Sequence, residues 1–412
     1  MKKIVYILLL LLPLQVFAKS FLVSNIALPS IHIQNLNPFP CNDKCLSKFI
    51  KEGMIFSFLA FVDSELQSDK ELKSVNLEKE KEKYLSKEER VLPPSQKNKL
   101  KIALLLPHKK IGKYATSTTN ATLAYLISKN YPFEVKSYKI ENETQEEFAK
   151  TLAKIQSDKF YYVIAPVTQN GEKEIAKINT DIVIYFPTIN KKDASSNEDN
   201  FYYGGIDYKA QSEKLLAHAQ NKLYIFNDSS LVGEQISSYQ ERYFKNINPN
   251  ASVTKYAIPE KTTNLQHQLK DNLRMNASSV FINTPIVKSS MIMSQLTLND
   301  IKAENILSLQ TNYTPLLFSM TQQNDRKNMI LANSITKNSD ALVEINSLLD
   351  NDISYDWINY TTTVGVDYFA HLIYTQSREY DIEISNNQML YPIELTTPSF
   401  SKFVPMGMEY NE

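Results

Sequence analysis

From residue 100 onward, short and almost wholly apolar runs alternate with longer segments of mixed polarity. LKIALLLP (100–107), FYYVIAP (160–166), TDIVIYFP (180–187), KLYIFND (222–228), SSVFINT (278–284) and ENILSLQ (304–310) are such runs. Their length and density predict strands buried on both faces, as in a parallel sheet. FEVKSYKI (133–140), FYYGGI (201–206) and SVTKYAI (252–258) read as further strands. The segments between them carry helical spacing, predicting helices over 116–128, 144–156, 171–178, 208–219, 231–244, 265–273 and 287–296. A longer helix is expected over 356–376, and the tail DIEISNNQMLYPIEL (381–395) predicts a hairpin turning at Asn386 and Asn387. Strands alternating with helices imply parallel sheets built from right-handed crossovers. The polar stretch KKDASSNEDN (191–200) divides the pattern into two series, hence two α/β lobes.

The first hundred residues break this rhythm. Lys2 and Lys3, an apolar run from Ile4 to Leu12 and Val16-Phe17-Ala18 predict a secretory signal peptide over residues 1–18. The apolar run is too short for a permanent membrane span, and no cysteine near the cleavage region offers a lipid anchor. Residues 19–62 form a small apolar module, with a short helix expected from Asn42. Met54, Ile55, Phe56, Phe58, Leu59, Phe61 and Val62 are too dense for a helix with one wet face, so this segment packs on the body or on a partner. Residues 63–98, dominated by Lys and Glu and closed by Pro93-Pro94, read as a charged helical or flexible linker. The bilobed body follows over 99–405. Its first lobe is expected to comprise about 99–205 plus 356–405, and its second about 206–355.

Composition narrows the function. Lysine plus arginine and aspartate plus glutamate both number 45 in 412 residues, which leaves no electrostatic footprint for nucleic acid. Only 8 glycines are present, too few for the phosphate-cradling loops of nucleotide enzymes. No second long apolar run predicts a membrane span. The two cysteines, Cys41 and Cys45, lie four apart and predict a local disulfide in an oxidising compartment. Closing so small a ring stabilises by about 2 kcal/mol.

The order of the segments resembles the type I periplasmic binding protein fold, the bilobed family of branched-chain amino-acid receptors. Within it the likeness is greatest to penicillin-binding-protein activators of the LpoA type. The stretches that carry it are KIALLLPHKKIGKYATSTTNATLAYL, YYVIAPVTQNGEKEIAKI, FYYGGIDYKAQSEKLLAHA, KLYIFNDSSLVGEQISSYQERYFK, VGVDYFAHLIY with its Gly-x-Asp, and the closing hairpin. The resemblance implies two Rossmann-like lobes with a cleft between them. It implies a non-catalytic periplasmic role, with an envelope protein such as a peptidoglycan synthase as partner. A solute receptor of an ABC transporter, or a scaffold of an envelope machine such as the flagellar motor, are the alternatives.

In such a fold, ligands sit beyond the C-terminal ends of the strands. That placement nominates His108, Lys109, Thr168, Asn190, Asp228, Thr284 and Tyr313 as cleft residues able to contact a small molecule. Residues of these types at these positions also cap helices. The loop after the first strand, Pro107-His108-Lys109-Lys110-Ile111-Gly112, is bulky and basic, which speaks against an amino acid in the cleft. Phe56, Phe58 and Phe61 are the expected partner-docking residues of the N-terminal module. The histidines, His32, His108, His218, His267 and His371, are scattered with no metal-ligand spacing. No nucleophile elbow, Walker loop or G-x-G-x-x-G occurs. The sequence therefore predicts neither an enzyme nor a cofactor.

Overall fold

The computed structural model describes residues 41–66, 99–129, 132–269, 272–375 and 377–407. The expected signal peptide, residues 19–40 and most of the charged linker lie outside the described residues.

Among the described residues fourteen strands form two seven-stranded sheets. The first has the order β11-β12-β5-β4-β3-β1-β2, the second β14-β13-β10-β9-β8-β6-β7. In the first sheet these are β1 (Leu100–Pro107), β2 (Phe133–Ile140), β3 (Tyr162–Ile164), β4 (Val183–Phe186), β5 (Phe201–Tyr203), β11 (Glu383–Ser385) and β12 (Gln388–Leu390). In the second they are β6 (Lys222–Asp228), β7 (Ser252–Ile258), β8 (Ser279–Asn283), β9 (Asn305–Ser308), β10 (Met329–Asn333), β13 (Glu394–Pro398) and β14 (Phe403–Pro405). β1–β5 and β6–β10 are parallel throughout and repeat one strand order. In each sheet the order reverses beside its first strand, which fixes where a crevice can open.

β1 shows why the apolar runs become central strands. Leu100, Ile102, Leu104 and Leu106 enter the core on one face, and Ala103 and Leu105 enter the core on the other. The period of two places these six side chains in a core, each large one contributing roughly 1.5–3 kcal/mol, while Lys101 reaches the surface to pair with Glu134. The first face is covered by α4 (Tyr114–Lys129), α13 (Asp340–Leu348) and α14 (Trp357–Tyr374), the second by α5 (Gln145–Ser157) and α6 (Gln169–Ile175). The second sheet is covered by α9 (Gln266–Leu269), α10 (Ile286–Leu298) and α11 (Leu316–Met320) on one side. On its other side lie α7 (Tyr208–Leu216) and α8 (Leu231–Ile247). Short helices α3 (His108–Ile111) and α12 (Gln323–Arg326) complete the body, and α1 (Asp43–Lys51) and α2 (Ile55–Leu66) form the N-terminal module.

The division between lobes differs from the expected one. Ile335, Leu342 and Ile353 belong to the core of the first lobe, so the chain has already returned there by residue 335 rather than 356. Residues 394–405, expected in the first lobe, pair instead along β10 and extend the second sheet. The reason is an open edge: β10 is buried at every position and has β9 on one side only until β13 joins it antiparallel. The chain thus crosses between lobes after β5, after β10 and after β12.

The hairpin β11–β12 turns at Asn386 (φ 49°) and Asn387 (φ 61°). Two consecutive left-handed residues are what a tight two-residue turn requires, and asparagine tolerates them. Asn387→Val is expected to lower stability by about 1–2 kcal/mol in chemical denaturation, because a β-branched side chain is strained there.

Candidate functional site

The module is built around a local disulfide. Cys41 and Cys45 are bonded with their Cα atoms 5.3 Å apart, and the Asn42 side chain caps α1 by accepting from the Cys45 N–H at 3.2 Å. The helix ends in a Schellman motif, with Gly53 N–H on Ile50 O at 3.1 Å and Met54 N–H on Phe49 O at 2.8 Å. Gly53 adopts φ 74°, which only glycine adopts without strain. Of the three phenylalanines expected to dock a partner, Phe58 is fully buried with Leu46 and Cys41, which removes it from that surface. Phe61 is partly buried in the same cluster, its ring 5.7 Å from that of Phe49, whereas Phe56 is 46% exposed. The apolar density of the segment is therefore spent on the module's own core.

The loops between the lobes lie where the strand order predicts, yet their polar groups are engaged at home. Thr168 caps α6 by accepting from Gly171 N–H at 3.3 Å, and its own N–H donates to Glu143 Oε1 at 2.8 Å. Asn190 is buried, donates to Gly205 O at 3.0 Å and accepts from Lys192 N–H at 3.1 Å. Asp228 accepts from Ser230 N–H at 3.0 Å. Thr284 is fully buried, its hydroxyl 2.9 Å from that of Ser289. Lys109 pairs with Glu141 at the surface, and His108 is exposed at the start of α3. These arrangements are caps and loop braces, the alternative the residue types left open.

What does bridge the lobes is aromatic. The Tyr313 ring, after β9, packs tilted against Phe403 of the second lobe and Tyr355, which precedes α14 of the first, with ring centroids 4.4 Å and 5.3 Å away. Burial, the neighbouring Tyr355 hydroxyl and Glu394 push the Tyr313 phenol up to about 12. Nearby, Tyr114 of α4 meets Trp357 of α14 edge-on, with ring centroids 5.9 Å apart. Tyr208, at the start of α7 in the second lobe, is hydrogen-bonded to Thr311. Its phenol is raised by burial and by the proximity of Tyr114 and Asp356 of the first lobe. Asp356 caps α14 through Ile358 N–H at 3.0 Å; burial raises its carboxyl, opposed by that N–H and by Lys113. Two ion pairs tie the first crossover to the first lobe: Lys192 to Asp207 at 2.5 Å and Lys209 to Asp193 at 2.6 Å. Sequence reading named only Tyr313 of this set. Trp357, the single tryptophan of the chain, opening a long helix beside Tyr355 and Asp356 was the available signal.

Two surface depressions lie away from this junction. One, of about 570 Å³, is lined by Lys44, Ser47, Lys48, Lys51 and Glu52 of the module. The other, of about 220 Å³, lies between the end of α6 and β5. Among the described residues no group of His, Cys, Asp and Glu side chains could hold a metal ion, and no helix is long and apolar enough to cross a membrane.

No protein-family model matches the chain, and no curated protein matches it by sequence. Solved structures do match in fold. The leucine-binding protein LivK of Thermotoga maritima superposes with TM-score 0.55 at 12% identity, over 75% of this chain and 98% of its own. A putative branched-chain amino acid ABC transporter protein of Rhodospirillum rubrum gives TM-score 0.58 at 9% identity, over 75% of this chain and 100% of its own. LpoA of Haemophilus influenzae gives TM-score 0.52 at 12% identity over 76% of this chain; the match spans 59% of LpoA. Two sheets of identical parallel order, three crossings between them and these superpositions identify the body as a type I periplasmic-binding-protein fold.

Proposed function

We propose that this chain is a non-catalytic, extracytoplasmic accessory protein that binds another envelope protein, a peptidoglycan synthase being the partner the likeness to LpoA favours. The observation that carries this reading is the junction between the lobes. Tyr114, Trp357, Tyr208, Tyr313 and Tyr355 converge there, and Thr168, Asn190, Asp228 and Thr284 of the cleft loops have partners within the chain. A solute receptor needs polar groups left unpaired for its ligand and lobes free to part. Here the four nominated loop residues are engaged within the chain, and aromatic contacts join the lobes. The outer surfaces of the body and module remain for a macromolecular partner.

The purified protein is accordingly expected to show no melting shift with leucine, isoleucine, valine or benzoate, while crosslinking in the intact envelope recovers a cell-wall synthase. A saturable shift with one of these solutes at micromolar concentration overturns the reading. It would support the second one, a transport receptor, which the superpositions on LivK and related receptors favour.

A further inference from the structure

The N-terminal module is seated on α13, and one side chain dominates that seat. α2 begins at Ile55 with no capping residue of its own: Met54 precedes it and its first turn carries no acidic side chain. The Ile55 N–H turns back to Gly53 O at 3.0 Å, which leaves the Phe56 and Ser57 N–H groups of the first turn to find an acceptor outside the helix. Glu344 of α13 supplies what is missing. Its Oε1 accepts from the Ser57 N–H, 287 residues away in sequence, and the Ser57 hydroxyl and Phe56 N–H also face its carboxylate. One turn earlier on α13, Ala341 packs against the α1–α2 turn, with its Cβ 3.4 Å from where a side chain on Gly53 would begin.

The seat is imperfect in one respect. The second oxygen of Glu344, Oε2, is buried and has no hydrogen-bond partner among the described residues. A buried carboxylate oxygen without a donor is costly, and a proton on it removes much of that cost.

We propose that the module is a detachable arm latched to the body by Glu344, and that the latch tightens as the surroundings become acidic. The direction of the Glu344 shift agrees: burial raises its carboxyl above the ordinary glutamate value, opposed by the N–H and hydroxyl of Ser57 and the N–H of Phe56. The described charged side chains on the elements packed there are Asp340 on α13, Lys129 on α4 and Lys44, Lys48, Lys51 and Glu52 on the module. None is among the influences on Glu344. Lys129 is paired with Glu379, and Lys48 lies 3.7 Å from Glu52. A group whose value is raised in the docked state favours docking fully below its free value. That contribution is lost as pH climbs through the raised value. At neutral pH the arm is thus held least firmly, and its release uncovers the face of α13 together with Phe56.

Amide hydrogen exchange of the full chain tests this, read at Phe56–Leu59 and corrected for intrinsic rates, from about pH 7.5 to about pH 5. Protection in the native chain is expected to rise on acidification. Glu344→Gln keeps an acceptor without the charge and is expected to be protected at every pH, with no slope. Glu344→Ala loses the cap and is expected to exchange about tenfold faster throughout. Amides of β1 and β3 serve as the control for global stability and are expected to stay unchanged. A native-like pH slope in Glu344→Gln, or native-like protection in Glu344→Ala, overturns the proposal.

Discussion

Asp367→Ala is expected to destabilise the body by about 3–5 kcal/mol, the cost of removing one partner from a buried charge pair. The carboxylate is 1% exposed on α14 and receives four donors. They are Tyr125 hydroxyl at 2.7 Å, Glu379 N–H at 2.8 Å, Arg378 Nε at 3.3 Å and Tyr380 N–H at 3.4 Å. It thereby joins α4, α14 and the segment that leads into β11. Alanine strands the Arg378 guanidinium, whose side chain is only 17% exposed and whose remaining acceptor among the described residues is Ile382 O at 2.6 Å. Thermal melting should fall by about 6–10 °C. Adding Arg378→Met should cost less than the sum of the two single changes, because the stranded charge is then gone. A loss below about 1 kcal/mol for Asp367→Ala would show that water reaches the cluster and satisfies it instead.

Gly365→Ala should destabilise by about 3 kcal/mol, although the same exchange inside an ordinary helix stabilises by about 1 kcal/mol. A methyl group at this position would lie 2.2 Å from Cε1 and 2.4 Å from Cδ1 of Tyr185. Tyr185 cannot retreat. It is fully buried, donates to Thr361 O at 2.8 Å and is walled on its far side by Gly204, where an added Cβ would stand 1.8 Å from its hydroxyl. The contact is with ring carbons, so Tyr185→Phe should not relieve it, whereas Tyr185→Leu in the same chain should recover part of the loss. A neutral or stabilising Gly365→Ala in urea titration would mean that α14 sits further from β4 than described.

These two residues were visible beforehand only as a Gly-x-Asp pattern within VGVDYFAHLIY. The pattern marked the helix; its physical reasons needed the partners, Tyr185 and Arg378, to be placed. The same limit runs through the fold. LKIALLLP and KLYIFND announce central strands because their inner positions are apolar on both faces, and Asn386-Asn387 announces its hairpin because few residues accept left-handed geometry. By contrast, MILAN (329–333) is short and flanked by polar residues, and it was not read as the strand that closes the parallel part of the second sheet. Its pairing with β13 depends on an open edge, which is a property of the assembled sheet and not of either segment. The lobe boundary failed for the same reason: α13 looks like any amphipathic helix until Leu342 is seen in the first core. At the candidate site, sequence located the loops but not their state. Glu143, which braces Thr168, and Gly205, which accepts from Asn190, are distant partners that local reading does not pair.

The triple crossing also governs how the molecule can be made. A chain emerging from the ribosome or a membrane pore presents β1 to β5 early, but α14, which covers Tyr185, begins about 150 residues after β5 ends. Until α13 and α14 are out, α4 alone covers that side of the first sheet, and β10 in turn lacks its outer neighbour until β13 is out. Neither half can therefore mature as an independent unit during synthesis. The nascent protein must wait, incompletely closed, for β13 and β14, and a truncation that removes them would leave an adhesive border along β10 and take Phe403 away from Tyr313.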